Sequence, residues 1–228
     1  MAGRGLTWLC LGLFATGCSE SKGAPGRPAS RESTRSPAGS STINPASSWQ
    51  ISPGRSAGPL RTASSEADLE KRYGKAAVKP ARIELGEGES TPGTVLFPGD
   101  SMRRAEIVWQ DTMSRSRPAR LILRGSRSEW QVGPGISLGT SLKELERING
   151  RPFTLAGFGW DYAGVVTEWG GGALDSALAG VKLYLDPGPA QYESRPYSQV
   201  LGDRDYPSSL PPMQELNPRV AQIFVDFE

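Results

Sequence analysis

The chain of 228 residues contains no histidine. Without an imidazole base, no serine or cysteine nucleophile can be activated in the usual triad manner. The common zinc hydrolase centres, which depend on histidine ligands, are excluded as well. Cysteine is nearly absent: Cys10 and Cys18 stand close to the amino end, and residues 19–228 hold no thiol for a disulfide, a zinc site or a nucleophile. No excess of charge of one sign exists either. Lysine and arginine number 26 against 24 acidic residues, a net charge of +2, too small for nonspecific nucleic-acid binding. The arginines outnumber the lysines but are scattered along the chain. The apolar stretch at the amino end, Leu6 to Phe14, is nine residues long, whereas a bilayer span needs about 20. Any catalysis here would fall to carboxylates, lysine, tyrosine or bound hard cations.

That short apolar stretch has a grammar of its own. Arg4 supplies a positive start, Leu6 to Phe14 the apolar centre, and Ala15-Thr16-Gly17 a run of small residues ahead of Cys18, the three parts of an export signal that is removed from the mature chain. The segment resembles the lipobox of bacterial lipoproteins, which implies that Cys18 becomes the first mature residue and carries acyl chains. Ala15 stands where the lipobox usually has leucine, and cleavage by ordinary signal peptidase is the alternative. By the sorting rule of such lipoproteins, Ser19 rather than aspartate after the cysteine implies the outer membrane, the domain facing the periplasm or the surface.

Residues 19–48 are mostly Ser, Pro, Gly, Ala and Arg, with Ile43 the only large aliphatic side chain. Such a composition cannot bury enough apolar surface to offset the entropy of ordering it, so the segment is expected to be a disordered tether. Thirty residues of this kind reach about 30 Å.

From Trp49 the composition changes and a repeat shows itself. Trp49-Gln50-Ile51 through Gly58 aligns with Trp130-Gln131-Val132 through Gly139, and Ser65 through Lys75 aligns with Ser141 through Arg151. Two matched blocks in the same order predict a duplicated unit of about eighty residues, 49–129 and 130–228. Each second block reads as a short helix. Ser65 with Asp68, and Ser141 with Glu144, have capping-box spacing; Gly74 and Gly150 stand where a left-handed residue would end the helix. Leu69 and Tyr73 in one, and Leu142, Leu145 and Ile148 in the other, would face the core. Strands are expected over 77–85, 94–97, 105–109 and 119–124, then over 152–155, 165–169, 181–186 and 220–227. The last alternates cleanly, with Ala221, Ile223, Val225 and Phe227 on one face and Val220, Gln222, Phe224 and Asp226 on the other. The expected fold class is therefore α+β: two tandem repeats, each a short helix followed by antiparallel strands, with Trp49 and Trp130 plugging equivalent ends of the two halves.

The helix-Gly-then-strands segments Gly58 to Gly74 and Gly139 to Gly150, together with the lipobox, are similar to the SmpA/OmlA (BamE-like) outer-membrane assembly lipoproteins and to the tandem-repeat β-lactamase inhibitor protein. The resemblance covers about a third of the chain. It implies duplicated helix-plus-sheet units that present a concave sheet face to a protein partner.

Candidate sites are few. In Gly157-Phe158-Gly159-Trp160-Asp161-Tyr162-Ala163-Gly164, glycines flank aromatic residues and a carboxylate. Trp160, Asp161 and Tyr162 thus offer stacking area and a hydrogen-bond acceptor to a sugar or peptide. The competing expectation is that Phe158, Trp160 and Tyr162 alternate as a strand and cover a sheet. Glu87, Glu89, Asp100 and Asp111 could gather oxygen ligands for a hard cation, but their spacing matches no calcium loop and favours a solvated acidic turn; no metal site and no cofactor is expected. Asp161 and Glu168 are the nominees for a carboxylate pair cleaving cell-wall glycan. The favoured expectation is a non-catalytic envelope lipoprotein, held to the membrane through Cys18, that binds an envelope protein, a peptide or a glycan. A glycan hydrolase and a structural spacer are the alternatives.

Overall fold

A computed structural model describes residues 49–227. The export signal with Cys18 and the tether over 19–48 lie outside the described residues. Three short strands, β1 (Gln50–Ser52), β2 (Ser56–Ala57) and β3 (Leu60–Arg61), lead into α1 (Glu66–Tyr73). A four-strand meander follows: β4 (Val78–Gly86), β5 (Glu89–Leu96), β6 (Ala105–Asp111) and β7 (Ser116–Arg124). Then come β8 (Gln131–Val132), α2 (Leu142–Asn149), β9 (Thr154–Ala156), β10 (Val166–Glu168), α3 (Ala173–Ala177) and β11 (Val181–Asp186). The chain closes with α4 (Arg195–Ser198), β12 (Asp205–Pro207), α5 (Pro211–Leu216) and β13 (Arg219–Asp226).

The fold is mainly β, not the α+β tandem repeat expected from the sequence: strand accounts for 40% and helix for 19% of the described residues, in three sheets. The two halves share their openings and part company after their helices. The first half's meander has a free edge at β7, and β13 pairs with it in antiparallel register, Phe224 opposite Ile122, while β11 pairs with β13 in turn. The second half thereby supplies two strands of a single six-stranded sheet, ordered β11-β13-β7-β6-β5-β4. An exposed edge carries a row of unpaired backbone groups, and adding strands to it satisfies them better than closing a second small meander. β9, β10 and β12 form a separate three-stranded sheet, and β3-β2-β1-β8 a four-stranded one.

Both expected helices form, with differences in their caps. Ser65 and Asp68 make the complete reciprocal box, and Ser141 accepts from the Glu144 amide, but Glu144 turns outward to Arg147 at 2.6 Å instead of reaching back. Gly150 is left-handed helical at φ 75° and ψ 1°, whereas Gly74, at φ 81° and ψ 155°, has positive φ but lies outside that region. Leu69, Leu142 and Leu145 are buried in the main core.

Trp49 and Trp130 do not plug separate ends. β1 runs parallel to β8 with Gln50 opposite Gln131 and Ile51 opposite Val132, so the two openings pair with each other. Trp130 is fully buried, and its indole N–H donates to the Arg103 carbonyl at 2.9 Å.

The main core fills one face of the six-stranded sheet. Ile83, Val95, Ile122 and Phe224 form a smaller cluster apart from it. The clean alternation expected for the last strand breaks at a bulge. The β11–β13 register slips between Tyr184 and Leu185, so that Tyr184 faces Gln222 while Leu185 faces Val220. A bulge leaves one residue unpaired and turns the strand locally. Val220 therefore joins the main core with Ile223 and Val225, leaving Phe224 in the smaller cluster. Arg120 and Arg124 lie over the Phe224 ring at 5.6 and 5.5 Å and pair with Asp226 and Glu106 at 2.5 and 2.8 Å.

Candidate functional site

The segment 157–164 is not a strand. Only Phe158 keeps a ladder contact, an isolated bridge to Leu201, and residues 159–164 form bends and turns. Two glycines pin the base of this loop. A side chain at Gly157 would collide with the Gly202 carbonyl, and one at Gly164 with the Leu185 carbonyl. Gly164 also sits at φ 69°, a conformation that side-chain-bearing residues adopt only with strain. Through Gly164 the loop is stitched to β11, because the Leu185 amide donates to the Gly164 carbonyl at 2.9 Å.

The loop divides two clefts. On one side, Asp161 and Tyr162 line a small cleft of about 90 Å³ together with Glu87, Arg124, Tyr184 and Phe224. The Glu87 carboxylate, as hydrogen-bond acceptor and as a negative charge, pushes the Tyr162 phenol up. On the other side, Trp160 and Phe158 line a recess of about 300 Å³ with Asp186, Pro187, Tyr192 and Tyr197. The three residues expected to bind a ligand thus share one loop but not one cleft: Trp160 faces the recess, and Asp161 and Tyr162 face its neighbour.

The recess is built by two stretches of chain, 158–163 and 185–197. Phe158, at 3% exposure, forms its floor and stacks on Tyr197 with centroids 5.8 Å apart and planes at 22°. Tyr197 in turn meets Tyr192 at 5.3 Å. Opposite them the Trp160 indole is fixed by donation from its N–H to the Gly157 carbonyl at 2.9 Å and by an edge contact with Tyr162 at 5.5 Å. Asp186, the last residue of β11, accepts from the Tyr192 hydroxyl at 2.9 Å and from the Gly188 amide at 2.5 Å. Burial, followed by hydrogen bonding to Asp186, pushes the Tyr192 phenol up to about 12, and burial and the same carboxylate raise that of Tyr197.

Asp186, Tyr192 and Tyr197 were not foreseen from the sequence. Their signal was a strand ending in aspartate, a Pro187-Gly188-Pro189 punctuation and two tyrosines spaced five apart, which is legible only when the Trp160 loop is known to lie against it.

The other nominees have local duties or stand apart. Asp100 caps its own turn, accepting from the Met102 amide at 3.0 Å and pairing with Arg103 at 2.5 Å, and Asp111 accepts from the amides of Met113 and Ser114 at 3.0 Å. Their hydrogen-bond partners hold both carboxyls below the usual range. Glu87 sits in the β4–β5 hairpin turn, where Gly86 faces Glu89. Among the described residues no group of three or more acidic, cysteine or histidine side chains could hold a metal ion. Glu168 is exposed on β10 and is not among the residues lining the Asp161 cleft, so the proposed carboxylate pair does not share it.

No protein-family model matches the chain, and neither a curated protein nor a solved structure is similar to it. No helix among the described residues is long and apolar enough to cross a membrane.

Proposed function

We propose that this protein is a lipid-anchored, non-catalytic binding module of the bacterial cell envelope, with its ligand seated in the recess between Trp160 and Tyr192. One observation carries the binding half of this reading. Of the four large apolar side chains that stand well exposed among the described residues, Met113, Tyr162, Tyr192 and Leu201, three border the 157–164 loop: Tyr162 touches Trp160, Tyr192 lines the recess, and Leu201 packs beside Gly159. Exposed apolar surface that gathers in one place, rimmed by carboxylates, is the usual mark of an interaction site. The absence of histidine and of any thiol after residue 18 supports a binding rather than a catalytic role. The anchoring half rests on the sequence Leu13 to Cys18.

Each half has its own test. Metabolic labelling with a fatty acid is expected to mark the wild-type protein and not Cys18→Ser; an unlabelled wild type refutes the anchor. Photo-crosslinking in cells is expected to give a defined adduct that Trp160→Ala loses while its melting temperature stays near that of wild type. An adduct indifferent to both Trp160→Ala and Tyr192→Ala would place the binding surface elsewhere.

A further inference from the structure

We propose that the recess recognises a quaternary ammonium group, the cationic end of a choline-like ligand. This rests on the reading of the recess as a ligand site and names the chemistry it selects. Four aromatic rings, Phe158, Trp160, Tyr192 and Tyr197, line it, and its volume of about 300 Å³ suits a small headgroup rather than an extended chain. Ring faces carry negative electrostatic potential, and cations held against them in a desolvated setting are attracted accordingly.

The only ionisable side chain with a formal charge in the lining is Asp186. Among the described residues no basic group pairs with it: the six ion pairs all lie elsewhere. Arg219, which stands opposite Asp186 in the β11–β13 register, sends its guanidinium to the Gly139 carbonyl at 2.9 Å instead. The recess therefore has a net negative charge with no internal neutralisation. Burial first, and then the same carboxylate, raises the phenols of Tyr192 and Tyr197.

What separates a quaternary ammonium from lysine or arginine is the demand for acceptors. A primary ammonium brings three N–H donors, and a guanidinium five, each needing a partner. Both oxygens of Asp186 are already engaged, one by the Gly188 amide at 2.5 Å and one by the Tyr192 hydroxyl at 2.9 Å. The carboxylate contributes charge through space, and with two of its roughly four acceptor positions taken it has fewer left than the three donors of an ammonium or the five of a guanidinium need. A cation with methyl groups in place of N–H groups matches that supply, and its apolar surface matches the rings.

Calorimetry on the purified protein tests this with choline, its neutral isostere 3,3-dimethylbutanol, and ethanolamine. Choline is expected to bind about tenfold or more tighter than either. Asp186→Asn, which keeps one acceptor for the turn, is expected to weaken choline about tenfold and the alcohol less. Trp160→Leu, which keeps apolar bulk but removes the π face, should weaken choline more than the alcohol, and thermal melts of both variants guard against a folding defect. Co-sedimentation with phosphatidylcholine but not phosphatidylglycerol vesicles would assign the group to a lipid headgroup. Choline binding without co-sedimentation would assign it to a soluble ligand; both results support the proposal. Equal binding of choline and the alcohol would overturn it while leaving the recess as a binding site. Ethanolamine binding as tightly as choline would overturn it too. If none of the three binds, the cation is ruled out, and the crosslinking experiment decides the binding reading independently.

Discussion

The Tyr192 hydroxyl donates to Asp186 at 2.9 Å, and the same carboxylate accepts from the Gly188 amide two residues further along the chain. A single aspartate thus ends β11, fixes the turn that leaves it and orients an aromatic wall of the recess.

Burial of Tyr192, with its bond to Asp186, predicts a sensitivity to alkali. The folded-state pKa of Tyr192 is about 12 against an ordinary 10, so the folded form holds its proton over a range where the unfolded chain has lost it. The contribution to stability is fully present below pH 10 and is lost as pH rises toward about 12. Denaturant titrations across that window are expected to show falling stability with a shallower slope in Tyr192→Phe. An unchanged slope would mean that Tyr192 titrates normally.

Gly164→Ala is expected to destabilise the fold by about 2–4 kcal/mol, since the added carbon meets the Leu185 carbonyl and the Phe158 ring at a backbone angle unsuited to alanine. Urea denaturation measures the loss. Because Gly164 ties the loop to β11 beside Asp186, ligand binding should weaken along with stability. A neutral substitution would show that the loop can separate from the strand.

A buried relay runs from Trp109 through Thr94 to Glu66 and out to Arg115, with donor–acceptor distances of 2.8, 2.5 and 2.8 Å. Thr94→Val keeps the shape but strands the Trp109 N–H and one Glu66 oxygen, costing about 2–3 kcal/mol. Thr94→Ser keeps the hydroxyl and should cost about 1 kcal/mol, the value of the missing methyl. Thermal melts of the two variants compare them directly; equal losses would mean that the relay contributes nothing beyond packing.

Trp49 and Trp130 meet at 4.9 Å with planes inclined at 62°. A double-mutant cycle to alanine is expected to give a coupling of about 0.5–1.5 kcal/mol. Trp130→Ala alone should cost about 3–5 kcal/mol, as expected for an indole that is fully buried. Zero coupling would make the contact incidental.

Much of the local structure was readable in the chain. Ser65 and Ser141 announced their helices because a hydroxyl there satisfies an amide that the helix leaves free. Val181–Asp186 was readable as a strand because its apolar residues repeat with period two. The short α3, α4 and α5 escaped notice: helices of five, four and six residues have no room for a periodic apolar face.

The candidate site was half legible. Trp160, Asp161 and Tyr162 stood out as aromatics and acid between glycines, but which cleft each one lines could not be read from their order. Asp186, Tyr192 and Tyr197 lie far enough along the chain that only the docking of their segment against the loop brings them to Trp160.

By itself the sequence settled the missing chemistry, the starts of α1 and α2 and the positions of the longer strands, because these depend on residue type and on neighbours within a turn or two. Only the tertiary structure decided that the second half adds β13 and β11 to the first half's sheet. That choice turns on which strand edge remains unpaired, and edge pairing is a contest between distant segments that no local pattern records. The bulge that sends Val220 to the core and the recess that joins Trp160 to Asp186 are consequences of the same long-range pairing.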